Sequence, residues 1–336
     1  MPLLPLFGHD ALQARLRATR ARDALPASVL LHGPRGIGKQ RLALWLGAMA
    51  LCVEAADTAP CGRCQSCQFT ARLVHPDLYW FFPVPRTEGG DRSPDEVIGD
   101  MRTAMQERAT TGAWGPSSGM EGHFVDTVRA MVRAAASSPS LGRRKVLVVG
   151  DAERMVVQAG ADQAANAFLK LLEEPPADTL LVLTSSEPGA LLPTIRSRVV
   201  ALRVPRVADD AVRDFAAAAR AAGAAVAVQG GALARAAGAP GALLAGSADD
   251  AAEQRAEAWL AAARGGATAR FLAVLSEKSA GARGPFSDAL DALGARLHTG
   301  ARAAARQGRS DAARLARLQD AVDAARTRAD GNVNPA

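Results

Sequence analysis

Leu30 to Gln40, LLHGPRGIGKQ, is the stretch whose reading decides the fold. The apolar run Ser28-Val29-Leu30-Leu31 leads into it, and an apolar helical pattern (Leu42, Leu44, Trp45, Met49) follows it. Between them the chain reads G-x-x-x-x-G-K from Gly33 to Lys39. Glycines there let backbone N–H groups converge on an anion at the N-terminus of the next helix, where the helix dipole favours negative charge. Gly33, Pro34, Arg35, Gly36, Ile37 and Gly38 would therefore wrap phosphate, and Lys39 would place a point charge on the β- and γ-phosphates of a nucleotide. The following position should be Ser or Thr, whose hydroxyl holds Mg²⁺. It is Gln40, and an amide is a poor ligand for a small hard cation. The context predicts a P-loop on a strand–loop–helix unit and leaves hydrolysis unsupported.

The 336 residues suit two or three domains, each able to bury a core. Apolar residues make up 49% and aromatics only 4%, which predicts a globular chain of helices packed through small side chains. The net charge of +6 permits nucleic acid nearby without establishing it, because the excess arginine is scattered among alanine-rich helices. The N-terminal MPLLPLFGHDALQARLR lacks the layout of a secretory signal, and the apolar run Leu42 to Val53 is too short to span a bilayer. A soluble cytoplasmic protein with no membrane contact is expected.

Upstream of the loop, Asp10 is the expected N-cap of a helix carrying Leu12 and Leu16, and Phe7-Gly8-His9 is expected near the base of a nucleotide. Downstream, Cys52, Cys61, Cys64 and Cys67 give C-x8-C-x2-C-x2-C. Four thiolates so spaced can converge on Zn²⁺ and leave no open position, so the ion would be structural. An iron–sulfur cluster is the rival, though the following C-P is missing; unligated thiols are the third reading. A disulfide pair does not suit a cytoplasmic protein. His75, in His75-Pro76-Asp77, is a further candidate ligand, but a structural histidine is the expectation.

Leu78 to Pro83 reads as a buried strand, and residues 86–122 as a polar insertion with one helix opened by Ser93 as N-cap and Pro94 at N1. A helix over about Val125 to Ala136 returns the chain to the core. Lys145 to Asp151 has the form of a second nucleotide-site strand, with Asp151 placed to hold the water shell of Mg²⁺. A hydrolytic site wants Glu immediately after that Asp, to orient water. Ala152 occupies that place, and Glu153, one residue late, is expected to point elsewhere. A helix over Ala161 to Glu174, a strand over Leu180 to Ser186 and the pair Arg196 and Arg198 around Ser197 complete this part. Residues near 205 to 248 read as a small helical unit with Asp209 or Asp210 as N-cap. From 249 to 330 the pattern is helical again, with Trp259, Phe271-Leu272, Leu275, Leu290, Leu293, Leu297, Leu315, Leu318 and Val322 as apolar positions.

The P-loop, the four-cysteine module after its helix, NAFLKLLEEPP (Asn166 to Pro176), the strand ending in SSEP (Ser185 to Pro188) and RSR (Arg196 to Arg198) together resemble the clamp-loader subunits of bacterial DNA polymerase III. Asn332-Val333-Asn334-Pro335 echoes a C-terminal pattern of the same family. Within it the chain looks more like delta-prime, a stator, than gamma/tau, an ATPase motor: His75-Pro76-Asp77 follows the cysteine module, and Gln40, Ala152 and Gly241 depart from the working ATPase pattern. The resemblance implies a Rossmann-like AAA+ domain over 1–205 with a zinc module (52–67) and an insertion (86–122). A helical lid over 206–248 and a helical collar over 249–336 would follow. It implies Arg198 as an arginine finger acting in trans on the ATP of a neighbouring subunit; Val199 replaces the family's Cys beside it. Partners would be gamma/tau-type and delta-type subunits in a hetero-pentameric ring, with primed DNA and the sliding clamp reached through the complex. Its own ATPase would be absent or very weak, and ATP or ADP at the degenerate site possible but not required. The alternatives are a divergent gamma/tau-type ATPase and a zinc-bearing nucleic-acid adaptor.

Overall fold

The computed structural model describes residues 3–54, 60–85, 92–111, 114, 121–155, 162–227, 232–244, 247–265 and 285–330. These fall into two compact units, one within 1–117, 121–224 and 238–242, the other within 225–237 and 243–336.

The first unit is built on five strands: β1 (Ser28–His32), β2 (Leu78–Phe81), β5 (Lys145–Val149), β6 (Thr179–Ser185) and β7 (Val200–Arg203). They hydrogen-bond in the order β2-β5-β6-β1-β7, every neighbouring pair parallel. Strands covered on both faces must be apolar throughout, and KVLVV and TLLVLTS are buried along their whole length. Parallel neighbours need crossovers. Helices α2 (Lys39–Leu51), α5 (Val125–Ala136), α6 (Asp162–Glu173) and the short α7 (Pro193–Arg196) lie between successive strands. His32 stands opposite Ser185 and Val149 opposite Leu183, so Gly33, Asp151 and Ser186 leave the same end of the sheet. In open parallel sheets that carboxyl end is where ligands bind.

The insertion has a structural role. Its helix α4 (Pro94–Thr111) buries Val97, Met101, Met105 and Ala109, one residue per turn, and packs on the edge strand β2 and on α5. Ser93 and Glu96 cap it reciprocally: the Ser93 N–H donates to Glu96 Oε2 (2.8 Å) and the Glu96 N–H to Ser93 Oγ (3.3 Å). Arg102 lies over the Tyr79 ring and donates to the Pro76 carbonyl at 2.9 Å. An edge strand is a template for unwanted pairing, and a covering helix removes that hazard. A two-stranded antiparallel ribbon, β3 (Val84–Pro85) with β4 (Glu121–Gly122), joins the two ends of the insertion. Apart from Arg92 and Trp114, the remaining insertion residues lie outside the described set.

Two expected caps are corrected. In α1 (Asp10–Ala21) the N-cap is His9, and in α8 (Asp209–Ala221) it is Ala208, neither with a capping side-chain bond. The aspartates sit one position inside, in the first turn, where the helix dipole still favours them. Leu12 and Leu16 are buried as expected.

The second unit is helical: α9 (Ala232–Ala236), α10 (Ser247–Arg264), α11 (Pro285–Arg306) and α12 (Ala312–Asp330), with α11 against the other three. Ala256, Ala289 and Ala304 are fully buried, so the alanine content acts by letting helices approach. Trp259 meets Phe286 edge-on at 5.6 Å, and Arg296 pairs with Glu253 and Glu257 across α10 and α11. Phe271, Leu272, Leu275 and Asn332 to Pro335 lie outside the described residues.

Candidate nucleotide and metal sites

The loop after β1 is tied down through its carbonyls. Lys39 Nζ donates to the carbonyls of Gly33 and Pro34 and to Ser186 Oγ, each at 2.9 Å. The Gly36 carbonyl accepts the Gly241 N–H at 2.8 Å, and the Ile37 carbonyl accepts His9 Nε2 at 2.8 Å. The Gly33 and Pro34 carbonyls thus face Lys39 Nζ, while the Gly36 and Ile37 carbonyls are held by Gly241 and His9. Gly38, at φ +94°, makes the left-handed step into α2. Gly36 and Gly241 meet backbone to backbone: a Cβ on Gly241 would stand 2.9 Å from the Gly36 carbonyl oxygen. Gly241 is thus a close-packing position as well as the absence of an arginine. Lys39 is almost fully buried; burial lowers its pKa, while the Asp151 and Glu153 carboxylates push back. His9 places Phe7-Gly8-His9 beside the loop; nothing described locates a base there.

The metal corner is filled by protein. Gln40 Oε1 accepts the indole N–H of Trp80 at 3.2 Å. The amide lies so close over Gly150 that a Cβ there would be 2.7 Å from Oε1. Trp80 is itself packed against Phe82 and Trp114, at centroid distances of 4.9 and 4.6 Å. The Arg108 guanidinium lies 3.4 Å from the Phe82 ring centre and 5.0 Å from that of Trp80. These residues do not fit Mg²⁺: the hydroxyl ligand is missing, and the one amide oxygen is engaged by an N–H donor.

Asp151 follows β5 in the left-handed region (φ +47°, ψ +57°), and its N–H donates to Thr184 Oγ1 at 2.9 Å. His123 is fully buried and donates from Nε2 to the Gly150 carbonyl at 2.7 Å; burial pushes its pKa down to about 4. The left-handed residue opens a 3₁₀ turn, Ala152–Arg154, that swings Glu153 back toward the loop. Its Oε1 accepts the Ser186 N–H at 2.8 Å, and burial raises its pKa, helped by Asp151 and opposed by Lys39. The expectation that Glu153 points elsewhere is therefore overturned. A one-residue offset misaims a side chain along an extended strand, but here the backbone turns.

Arg198 lies at a different place, just past α7. Its Nε donates to Glu173 Oε1 at 2.8 Å and Nη2 donates to the same oxygen. Its Nη1 donates to the Thr194 carbonyl (2.7 Å) and to Ser197 Oγ (3.2 Å). The neighbouring Leu192 and Val200 are exposed.

The four cysteines converge, all four sulfurs within 4.8 Å of one another. Cys52 and Cys64 are 3.9 Å apart and Cys61 and Cys67 4.0 Å, far beyond a disulfide bond of about 2.05 Å. A tetrahedral ion with bonds of about 2.3 Å needs sulfurs roughly 3.8 Å apart, so the set fits one metal ion. The N–H groups of Cys64 and Cys67 donate to the sulfurs of Cys61 and Cys64 as the chain enters α3 (Gln65–Ala71). The first of these contacts is the main reason the Cys61 pKa falls to about 6, while burial raises that of Cys67. His75 is not in the cluster: its Nδ1 accepts the Asp77 N–H at 3.0 Å. The Asp77 carboxylate receives the N–H groups of Ser140, Leu141 and Gly142, pinning the turn before β5 and lying below the usual carboxylate range. Burial alone would raise that pKa; the three N–H donors outweigh it.

Sequence reasoning missed Trp80 and Arg108, and it quoted Ser186 and Glu173 only within SSEP and NAFLKLLEEPP without their contacts. Each reaches its partner across more than twenty residues of chain.

The family model described as "DNA polymerase III, delta subunit" matches residues 8–208. DNA polymerase III subunit delta' of Pseudomonas aeruginosa is 37% identical over 176 residues, covering 52% of this chain and 42% of that protein. The delta' subunit of Escherichia coli is 32% identical over 189 residues, covering 56% of this chain and 44% of that protein. The gamma/tau subunit of Mycobacterium tuberculosis is 28% identical over 193 residues, covering 57% of this chain and 27% of that protein. The chain thus spans less than half the length of these relatives.

Proposed function

The chain belongs to the delta-prime clamp-loader family of DNA polymerase III, and on that premise we propose that it is a stator-type subunit of a clamp loader. It would help an ATP-driven hetero-pentameric ring load the sliding clamp on primed DNA in the cytoplasm. It would contribute geometry and Arg198 to that ring and hydrolyse little or no ATP itself. The observation that carries this reading is Gln40: the residue in the metal-ligand place is bonded to Trp80, at a corner already filled by rings. Ala152 in the water-orienting place and Gly241 packed on Gly36 point the same way. Gamma/tau-type and delta-type subunits are the proposed partners, and clamp and DNA would be reached through them. The three-part division at 205 and 248 into nucleotide-fold, lid and collar regions belongs to this proposal. So does Zn²⁺ as the resident of the cysteine site, where it would hold Cys52, Cys61, Cys64 and Cys67 together without chemistry of its own. No helix among the described residues is long and apolar enough to cross a membrane.

A second reading, a divergent gamma/tau-type ATPase, has one observation in its favour, the return of Glu153 to the loop. Against it, Glu153 Oε1 is occupied by the Ser186 N–H and its Oε2 is buried, which suits a structural clasp better than a base for water. The experiment that separates the two is steady-state ATP turnover by the purified chain at saturating Mg-ATP. Background turnover is expected. Turnover abolished by Lys39→Ala would overturn the stator reading.

A further inference from the structure

The four cysteines are not held alike. Cys61, Cys64 and Cys67 lie in one short stretch that enters α3, and its own backbone sets their places. The Cys64 N–H meets Cys61 Sγ at 3.3 Å, and the Cys67 N–H meets Cys64 Sγ at 3.5 Å. Cys52 comes from elsewhere, as the extended C-cap of α2, and among the described residues no N–H group donates to its sulfur. Eight residues separate it from Cys61, so the turn that places the other three does not place it. A tertiary contact has to do so. Arg20, near the end of α1, supplies one: its Nη2 donates to the Cys52 carbonyl at 2.8 Å. Among the described residues this is the guanidinium's sole hydrogen bond, no carboxylate pairs with it, and Nη1 is buried without a partner. Covalent geometry keeps a cysteine's sulfur within about 5 Å of its own carbonyl oxygen, so this positive charge lies beside the thiol cluster. Four thiolates around one divalent ion leave a net negative charge for it to face.

We infer that Arg20 is a positioning residue of the metal centre, holding Cys52 in place as the fourth ligand through the Cys52 carbonyl. The inference rests on the reading of the cysteine cluster as a metal site. Groups that orient a metal's ligands from behind matter about 10–100-fold in affinity. A plainer role for the same bond is to satisfy a carbonyl left open where α2 ends, with a cation at the negative end of the helix dipole. The two roles separate by whether the effect of Arg20 runs through the Cys52 sulfur. A cap stabilises α2 whether or not Cys52 binds metal. A positioning residue loses its effect on the metal once that sulfur is gone.

The test is the rate of zinc release from the full chain to a chromogenic chelator, with the cobalt-substituted chain followed by absorption. Arg20→Met should release zinc about tenfold or more faster than wild type. Arg20→Lys keeps a donor and the charge and should stay within about threefold of wild type. In the Cys52→Ser background, Arg20→Met should change the release rate by less than about twofold. With cobalt, Arg20→Met should lose about a quarter of the thiolate-to-metal charge-transfer absorbance, one thiolate of the four having left. Equal acceleration in both backgrounds overturns the inference, since a helix cap or a general loss of fold would produce it. So does an undiminished charge-transfer band. A wild-type chain that takes up neither zinc nor cobalt overturns the metal reading, and the inference falls with it. A loaded wild-type chain whose release rate is indifferent to Arg20→Met overturns the inference alone.

Discussion

Arg198 makes four hydrogen bonds within its own chain, two to Glu173 and one each to the Thr194 carbonyl and Ser197 Oγ. To reach a phosphate on a neighbour it must exchange at least the Glu173 pair, which is partly exposed on both sides. Exposed pairs are worth about 0.2–1 kcal/mol, so this restraint is weak compared with what a phosphate offers. Arg198→Ala should lower turnover at the site it faces by on the order of 10³, measured in a reconstituted loader. Glu173→Gln should leave that turnover unchanged or raise it by no more than about fivefold. A reconstituted loader in which Arg198→Ala matches wild type removes the finger from the account. Glu153 carries the other lesson at this scale. Sequence offset alone misplaced it, because a single left-handed residue, Asp151, redirects the two residues after it.

Among the described elements, the cysteine module is one that the zinc proposal makes dependent on something outside the chain. It runs from the end of α2 through α3, and Arg20 of α1 donates to the Cys52 carbonyl at 2.8 Å. Four gathered thiols are not self-stabilising: a bound metal needs thiolates, and four negative charges within 4.8 Å need a cation. The protein as isolated should carry one zinc per chain by mass spectrometry of its metals. Stripping it with a chelator should raise amide exchange across residues 60–72 while β1, β5 and β6 stay protected, because their burial owes nothing to the metal. Full exchange of the sheet on the same timescale would show that the module is not a separable element. Helix α4 was legible as an element from its capping box, but its purpose was not. The apolar stripe from Val97 to Ala109 says that the helix is buried, and only the fold says that it lies on an edge strand.

Across the molecule, the two units are held by different means. Among the described residues, the largest fully buried side chains, among them Trp80, Phe81, Phe168 and Leu30, belong to the first unit, whereas the described helices of the second bury Ala256, Ala289 and Ala304 beside Leu290 and Leu297. Apolar burial stabilises in proportion to area, so the second unit should unfold first, giving two calorimetric transitions with the lower one retaining the sheet. A single transition by every probe would contradict this. The sequence by itself determined the P-loop, the buried strands, the four-cysteine cluster and the family, because each is a local spacing or a run of one residue type. Tertiary structure alone decided the Gln40–Trp80 bond, the Arg108 box, the return of Glu153, the Gly36–Gly241 contact and the Arg198–Glu173 pair. These join residues far apart in the chain, and which side chains meet there depends on strand order and backbone turns, which no local pattern encodes.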